Sequence, residues 1–241
     1  MAPGAPRFPP RLKGLAAGPA DPAAIACAEA RRGCDAGLVV WSRTEERLRC
    51  ALVLAPEEPI SRAAAALPAC MTGLQNALGV LAPPETAVHL GWSGSVRLNG
   101  GHVGGFRLLA PRGEVAAVPA WLVVAWELTL RLPDSLEPGQ TPDWTALDQE
   151  GCGEIPAADL LEAYARHALH WLSQLEEPGG RGMLGREWKG LAWKLGQEVT
   201  LPLEGGRASG IFLGVDEDFG MLLRSESGTR LVPLAALVEE A

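Results

Sequence analysis

Paired cysteines are missing from this sequence. Its five cysteines, Cys27, Cys34, Cys50, Cys70 and Cys152, are odd in number and form no Cys-x-x-Cys pair, so neither a disulfide framework nor a zinc knuckle is indicated. They read as reduced, mostly buried, small apolar side chains. Positive charge is also short: 21 Lys and Arg stand against 29 Asp and Glu, a net charge of −8. An acidic surface repels phosphate backbones, which argues against nucleic acid as a partner. The longest strongly apolar run, Val118 to Leu130, is interrupted by Trp126 and Glu127 and falls short of the ~20 residues of a bilayer helix, so no membrane association is expected. The N-terminal stretch has prolines and charges but no apolar segment with a cleavage site, and a cytoplasmic location is expected. No Gly-x-Ser-x-Gly elbow, P-loop, dinucleotide fingerprint or EF-hand spacing occurs. Aromatics other than tryptophan are scarce, one Tyr and four Phe beside eight Trp; most of the eight are expected in the core, with Trp92 at a pocket wall.

What is present reads as alternating helix and strand signals. Residues 1–14 are Pro-rich and suit a loose tail or an extended edge. Asp21-Pro22 opens a first helix over 22–32, with Gly33 at its C-terminal stop. Two strands, 37–41 and 48–55, flank the charged stretch "SRTEER". From Ile60 to Leu78 the apolar residues fall on one helical face, ending at Gly79, and Pro68 predicts a kink or break over 64–68. "TAVHLGW", "SVRL", "HVGGFRLL" and "WLVVAWELTLRL" then read as consecutive antiparallel strands, the last with an outward Glu127. A strand in this last segment at the sheet edge makes a homodimer plausible. A loop over 133–154 precedes an amphipathic helix that carries Leu161, Tyr164, Ala168, Trp171 and Leu175. From about Leu195 five short strands joined by Gly and Asp turns suit a small closed barrel. The expected fold class is α+β: a mixed, largely antiparallel sheet with helices on one face over 1–190, then a barrel over 191–241.

The stretch "GWSGSVRLNGGHVGGF" (91–106) has an aromatic at a strand end, a tight turn, and a second strand entering with His102 and Gly104-Gly105. Glycine lets a backbone approach a ligand where a Cβ collides. The same letters also suit a plain hairpin turn. His167 and His170 lie at i and i+3 on a helix without a third ligand at a convincing spacing, and Asp216 to Asp218 suit a solvated turn, so no metal is expected.

The order of elements and the motif spacing resemble biotin protein ligases, within the biotin/lipoate protein ligase superfamily. There, a Lys-Trp-Pro-Asn-Asp strand end is followed eleven residues after its first Lys by a second Lys, then a small residue and Gly. Here the matching register is Gly91-Trp92-Ser93-Gly94-Ser95, with His102 eleven residues after Gly91 and Gly104-Gly105 behind it. "WTALDQEG" (144–151) is similar to the segment before the family's long helix, and "REWKGLAWKLGQEVTL" (186–201) to its lead into an SH3-like terminal barrel. "GIFLGVDEDFGMLL" (210–223) is similar to a motif of that barrel, and the resemblance covers roughly residues 20–240. It implies a two-step reaction: ATP with Mg activates the carboxylate of biotin or lipoate as an acyl-adenylate, and a lysine of a carrier domain attacks it. Negative charge develops on phosphate and carboxylate oxygens, so the chemistry needs cations.

The sequence departs from the family where those cations belong. Gly91 and His102 replace the two lysines, Ser93-Gly94-Ser95 replaces Pro-Asn-Asp, and no Gly-Arg-Gly-Arg loop stands between the first two strands, where Glu45 and Glu46 occur instead. Arg43, Arg47, Arg49 and Arg97 are nearby in the implied fold, or simply solvate a strand face. The candidate site is therefore His102 at a family Lys position, with Trp92, Ser93, Ser95, Asn99, Gly104, Gly105 and Arg43 as ligand-binding residues. Two readings follow. One is a relative with an eroded adenylation site that binds a small carboxylic acid such as biotin or lipoate, or a biotinyl or lipoyl carrier, without ordinary turnover. The other is an active ATP-dependent ligase using His102 and nearby arginines.

Overall fold

Apolar alternation builds one large sheet whose two faces are covered differently. The computed structural model describes residues 4–133, 141–203 and 206–241. Seven strands run in the order β1 (Lys13–Ala16), β2 (Leu38–Arg43), β3 (Arg47–Leu54), β7 (Leu122–Thr129), β6 (Gly101–Ala110), β5 (Ser95–Leu98), β4 (Val88–Leu90). Only β1 pairs in parallel along this path, with β2; the remaining neighbours are antiparallel, and the sheet is mixed, as expected. The edge at β1 is all exposed and forms the start of the fold.

β7 is not an edge strand. It pairs with β3 from Leu122 to Thr129 on one side and with β6 on the other, which removes the strand-based case for a dimer. Its residues are buried on both faces apart from Glu127, the pattern of a central strand. β2 and β3 are joined by only three residues, 44–46. Thr44 N–H donates to the Arg47 carbonyl at 2.9 Å and Arg47 N–H to Thr44 Oγ1 at 3.0 Å, so the connection is a closed turn.

Most helices lie on one face, but not all of them. α3 (Ala66–Leu81) and α4 (Ala157–Glu176) join Val39, Leu52, Phe106, Leu108, Val124 and Trp126 in the larger core. α1 (Pro22–Arg31) covers the opposite face, where Ala23, Ala26, Cys27 and Ala30 pack on Val40, Ala51, Val53, Val123 and Ala125. The expectation of helices on a single face is corrected accordingly: strand residues of alternate parity are also apolar, and they need a cover. As predicted, the Asp21 side chain accepts from Ala23 N–H and Pro22 sits in the first turn.

The helix expected from Ile60 is split into a short turn α2 (Ile60–Ala63) and α3. Pro68 becomes the third residue of α3, where a missing N–H costs nothing, and the break falls just before it. By length and composition, Ile60–Leu81 is apolar enough to cross a bilayer, yet 72% of its most apolar window is buried inside the fold. α3 and α4 touch closely at Gly73, where an added Cβ would stand 2.7 Å from the Ala168 nitrogen. The loop expected over 133–154 is turns from 141 onward, and its residues 134–140 lie outside the described residues.

After α5 (Gly180–Leu191) a second sheet forms in the order β11 (Gly228–Val232), β10 (Met221–Ser225), β9 (Gly206–Val215), β8 (Glu198–Leu203). It is antiparallel and not closed, which corrects the expected barrel. The reason is the fifth strand. After a 3-10 turn at Leu234–Leu237, β12 (Val238–Glu240) leaves this sheet and pairs in parallel with Leu108 to Ala110 of β6. β5 covers only the first half of β6, so the second half offers an unpaired edge that β12 fills. All five cysteines are free, and four are buried.

Candidate functional site

Period-two alternation divides the candidate residues between the two faces of the sheet. The cross-strand register aligns Ser42, Arg49, Glu127, Gly105 and Ser95 in one transverse row. The next row holds Ala51, Ala125 and Arg107, of which Ala51 and Ala125 lie under α1. Past the cover of α1, this face becomes polar: Ser42, Arg47, Arg49, Glu127 and Thr129. The Glu127 carboxylate bridges both arginines, one oxygen accepting from Arg47 Nη1 and the other from Arg49 Nε. All three side chains are about one-third exposed, so the trio is reachable from solvent.

Beside this trio opens a cleft of about 200 Å³, lined by Glu46, Arg47, Thr129, Arg131, Thr141 and Trp144 among others. Trp144 is half-exposed, and its ring packs against His102 with centroids 4.4 Å apart. The strand edge holds this segment directly, since His102 N–H donates to the Asp143 carbonyl at 2.7 Å and Thr145 N–H to the His102 carbonyl at 2.9 Å. His102 Nδ1 is buried without a hydrogen-bond partner among the described residues. Burial, with the Arg97 charge second, holds the His102 imidazole below its ordinary value of 6.5. A neutral ring at physiological pH supplies a hydrogen bond but no cation.

The other residues singled out by the motif have structural duties. Trp92 is buried in the larger core, and its indole N–H donates to the Phe219 carbonyl at 2.7 Å, which ties the first sheet to the second. The cavity beside it, lined by Met71, Trp188 and Phe219 among others, has a volume of about 10 Å³, room for about one water molecule and not for a ligand. Trp92, expected at a pocket wall, borders this small cavity, and its polar edge is spent on the inter-sheet bond. Arg43 follows Ser42 and so points to the opposite face from the Arg49 row; it is exposed at the end of β2. Ser93 is exposed in the turn, while Ser95 turns its hydroxyl back over Gly91: a Cβ at 91 would lie 2.0 Å from Ser95 Oγ. A side chain at 91 would require the Ser95 hydroxyl to rotate away.

Asn99 has φ +48° at a hairpin turn, where its Oδ1 accepts from Ala87 N–H and its Nδ2 donates to Glu150. Gly104 is required by strand packing, since a Cβ would stand 2.0 Å from the Glu127 carbonyl oxygen. Of the glycine pair, Gly105 is the one in the polar row. Arg97 lies over Trp193 at 4.8 Å and donates to the Gly100 carbonyl at 2.6 Å, bracing the 95–102 hairpin. The motif thus led to His102 and Gly105, but missed Trp144, Thr129 and the bridging role of Glu127. A signal existed for the last: one carboxylate in an apolar strand matches Arg47 and Arg49 at alternate positions four strands earlier in the chain. Among the described residues, no group of three or more His, Cys, Asp and Glu is placed to hold a metal ion.

With the geometry in place, comparison with known proteins identifies the architecture. A biotin protein ligase-like protein of unknown function from Silicibacter sp. TM1040 is 49% identical, with a TM-score of 0.89 over 97% of this chain and 99% of that one. A variant biotin protein ligase from Aquifex aeolicus in complex with biotin shares the fold at 16% identity, with a TM-score of 0.72 over 92% of this chain and 96% of its own. A biotin–[acetyl-CoA-carboxylase] ligase of Paracoccus denitrificans is 29% identical over 76% of each chain. A domain of unknown function matches residues 196–240. The family described as biotin/lipoate A/B protein ligases matches residues 8–190, and the chain belongs to that family.

Proposed function

We propose that this family member binds a biotin-class carboxylic acid, or a carrier domain that bears one, without ordinary ligase turnover. The cleft between β3, β7 and residues 141–145 is the binding place. The observation that carries the reading is the closed three-residue turn between β2 and β3, at Thr44–Glu46. In the resemblance set out above, a basic loop between these strands folds over the adenylate. A turn tied by its own hydrogen bonds has no chain to fold anywhere. The nearest strand cations support the same reading, since Arg47 and Arg49 are already held by Glu127. Removing a single oxyanion donor costs roughly 10²- to 10³-fold in rate, and several are replaced here.

An active ligase that uses His102 in place of lysine is the second reading. The neutral imidazole counts against it, because a charge at the transferring phosphoryl group is what the substitution needs to restore. ATP–pyrophosphate exchange in the presence of biotin or lipoate separates the two. We expect no exchange above background, together with an upward shift in melting temperature on adding the acid or its carrier-bound form. Exchange, or label transferred to a carrier lysine, overturns the proposal.

A further inference from the structure

We infer that the fold holds a second ligand site, separate from the cleft proposed above, which takes a single aliphatic chain with an uncharged head group. A cavity of about 810 Å³ opens where the β3–β7 ladder ends at the Leu54–Leu122 pair. That volume suits a small-molecule ligand. Arg47 and Thr129 close the same ladder at its other end, beside the first cleft, and the strand from Arg47 to Leu54 spans roughly 23 Å. The two places also use opposite faces of the sheet, since Leu52 and Leu54 alternate with the positions of Arg47 and Arg49 and turn toward the larger core.

The floor of the cavity is aliphatic, with Leu12, Leu52 and Leu122 buried beneath it. One wall is an apolar stripe of α4. Leu169, Leu172, Ser173 and Glu176 fall at i, i+3, i+4 and i+7, next to the face that holds Tyr164, Ala168 and Trp171 in the core. Leu169 and Leu172 remain only half-buried, and an apolar stripe left open beside a filled core face calls for a cover. Across the cavity, Ala36, Ala55, Ala63 and Ala66 keep the space open where longer side chains would fill it. Charge stays at the rim and cancels: Arg11, Arg62 and Arg181 stand against Glu57, Glu58 and Glu176. Arg62 and Arg181 are further engaged by Glu58 and Asp218. A charged head of either sign gains no net attraction there and loses hydration, whereas an uncharged polar head keeps hydrogen bonds to water and to the Ser173 hydroxyl. Recognition falls to the chain, each buried methylene strengthening binding about fourfold.

The test is calorimetric titration of the intact chain with 1-monoacylglycerols whose acyl chains have six, eight and ten carbons, each kept below its micellar concentration. One binding site per chain is expected, with affinity rising roughly fifteenfold for each added pair of methylenes. Salt is expected to leave that affinity unchanged, because the rim charges cancel. The fatty acid and the alkylammonium of equal chain length are expected to bind at least about threefold more weakly than the glyceride. Ser173→Trp, at an exposed position of the α4 wall, narrows the mouth, and Ala63→Phe fills the space from the opposite side; each is expected to weaken binding at least about tenfold while the circular dichroism spectrum matches the parent. Binding that does not strengthen with chain length overturns the inference, and so does a charged congener that binds more tightly than the glyceride. Parental affinity in both folded variants, or displacement of the glyceride by biotin, overturns it as well.

Discussion

Trp92 donates its indole N–H to a carbonyl 127 positions further along the chain, and that one bond decides how the residue is to be understood. Trp92→Phe keeps most of the apolar volume but leaves the buried Phe219 carbonyl without its donor. A loss of about 1–3 kcal/mol is expected in urea unfolding, with little change in ligand titration. Such a partner is invisible to local sequence reading, because nothing in "GWSGS" indicates which distant carbonyl faces it. His102 is different: its spacing from Gly91 singled it out, whereas its protonation followed only from burial and from Arg97. An imidazole held below its unfolded value of 6.5 takes up protons more readily once the chain unfolds. Its contribution is therefore intact above about pH 6.5 and is lost as the pH drops through that value and below. Urea midpoints measured between about pH 8 and 5 are expected to decline, and His102→Gln is expected to flatten part of the slope. His167, also lowered by burial first, accounts for a further share.

Among the elements, α3 and α4 approach each other through Gly73. Its substitution by alanine brings a Cβ to 2.8 Å from the Ala168 Cα, and the backbone offers no flexible end to move aside. A destabilisation of about 1–3 kcal/mol is expected, read as a lower melting temperature. Helix boundaries were well marked in the sequence where capping chemistry was local, as at Asp21-Pro22, and less so where tertiary packing extended the helix beyond Gly79 to Leu81. For strands, the alternation was legible but the order was not. The segment 121–132 looked the same as edge or centre until its two neighbours were known, and only hydrogen bonding to β3 and β6 decided between them. The polar row suffered likewise, since Ser42, Arg49, Glu127 and Gly105 come from four strands whose register cannot be read one segment at a time.

At the level of the whole molecule, two sheets are fastened by several independent ties. Besides Trp92, Arg181 donates to Glu58 and Asp218 and so joins α5, the segment before α2 and the turn before β10. The third tie is β12, where Glu239 also pairs with Arg107 of β6. Removing residues 238–241 is expected to lower the melting temperature by several degrees and to expose the outer half of β6. Light scattering on warming would show whether the bare edge leads to self-association, and unchanged melting would mean that β12 adds nothing to the fold. Fold class was recoverable from element order, yet closure of the C-terminal unit was not, because the last strand's allegiance depends on an edge left free about 130 residues earlier in the chain.

That returning strand also bears on how the molecule is made. A chain emerging from the ribosome has β6 available long before residue 240 leaves the exit tunnel, so the large sheet waits, incomplete, while everything between is synthesised. Its zipping joins two strands about 130 residues apart in the chain, and such closures are slow because so much loop must be gathered first. During that interval the nascent protein carries a bare β-edge for which chaperones and other unfinished chains compete.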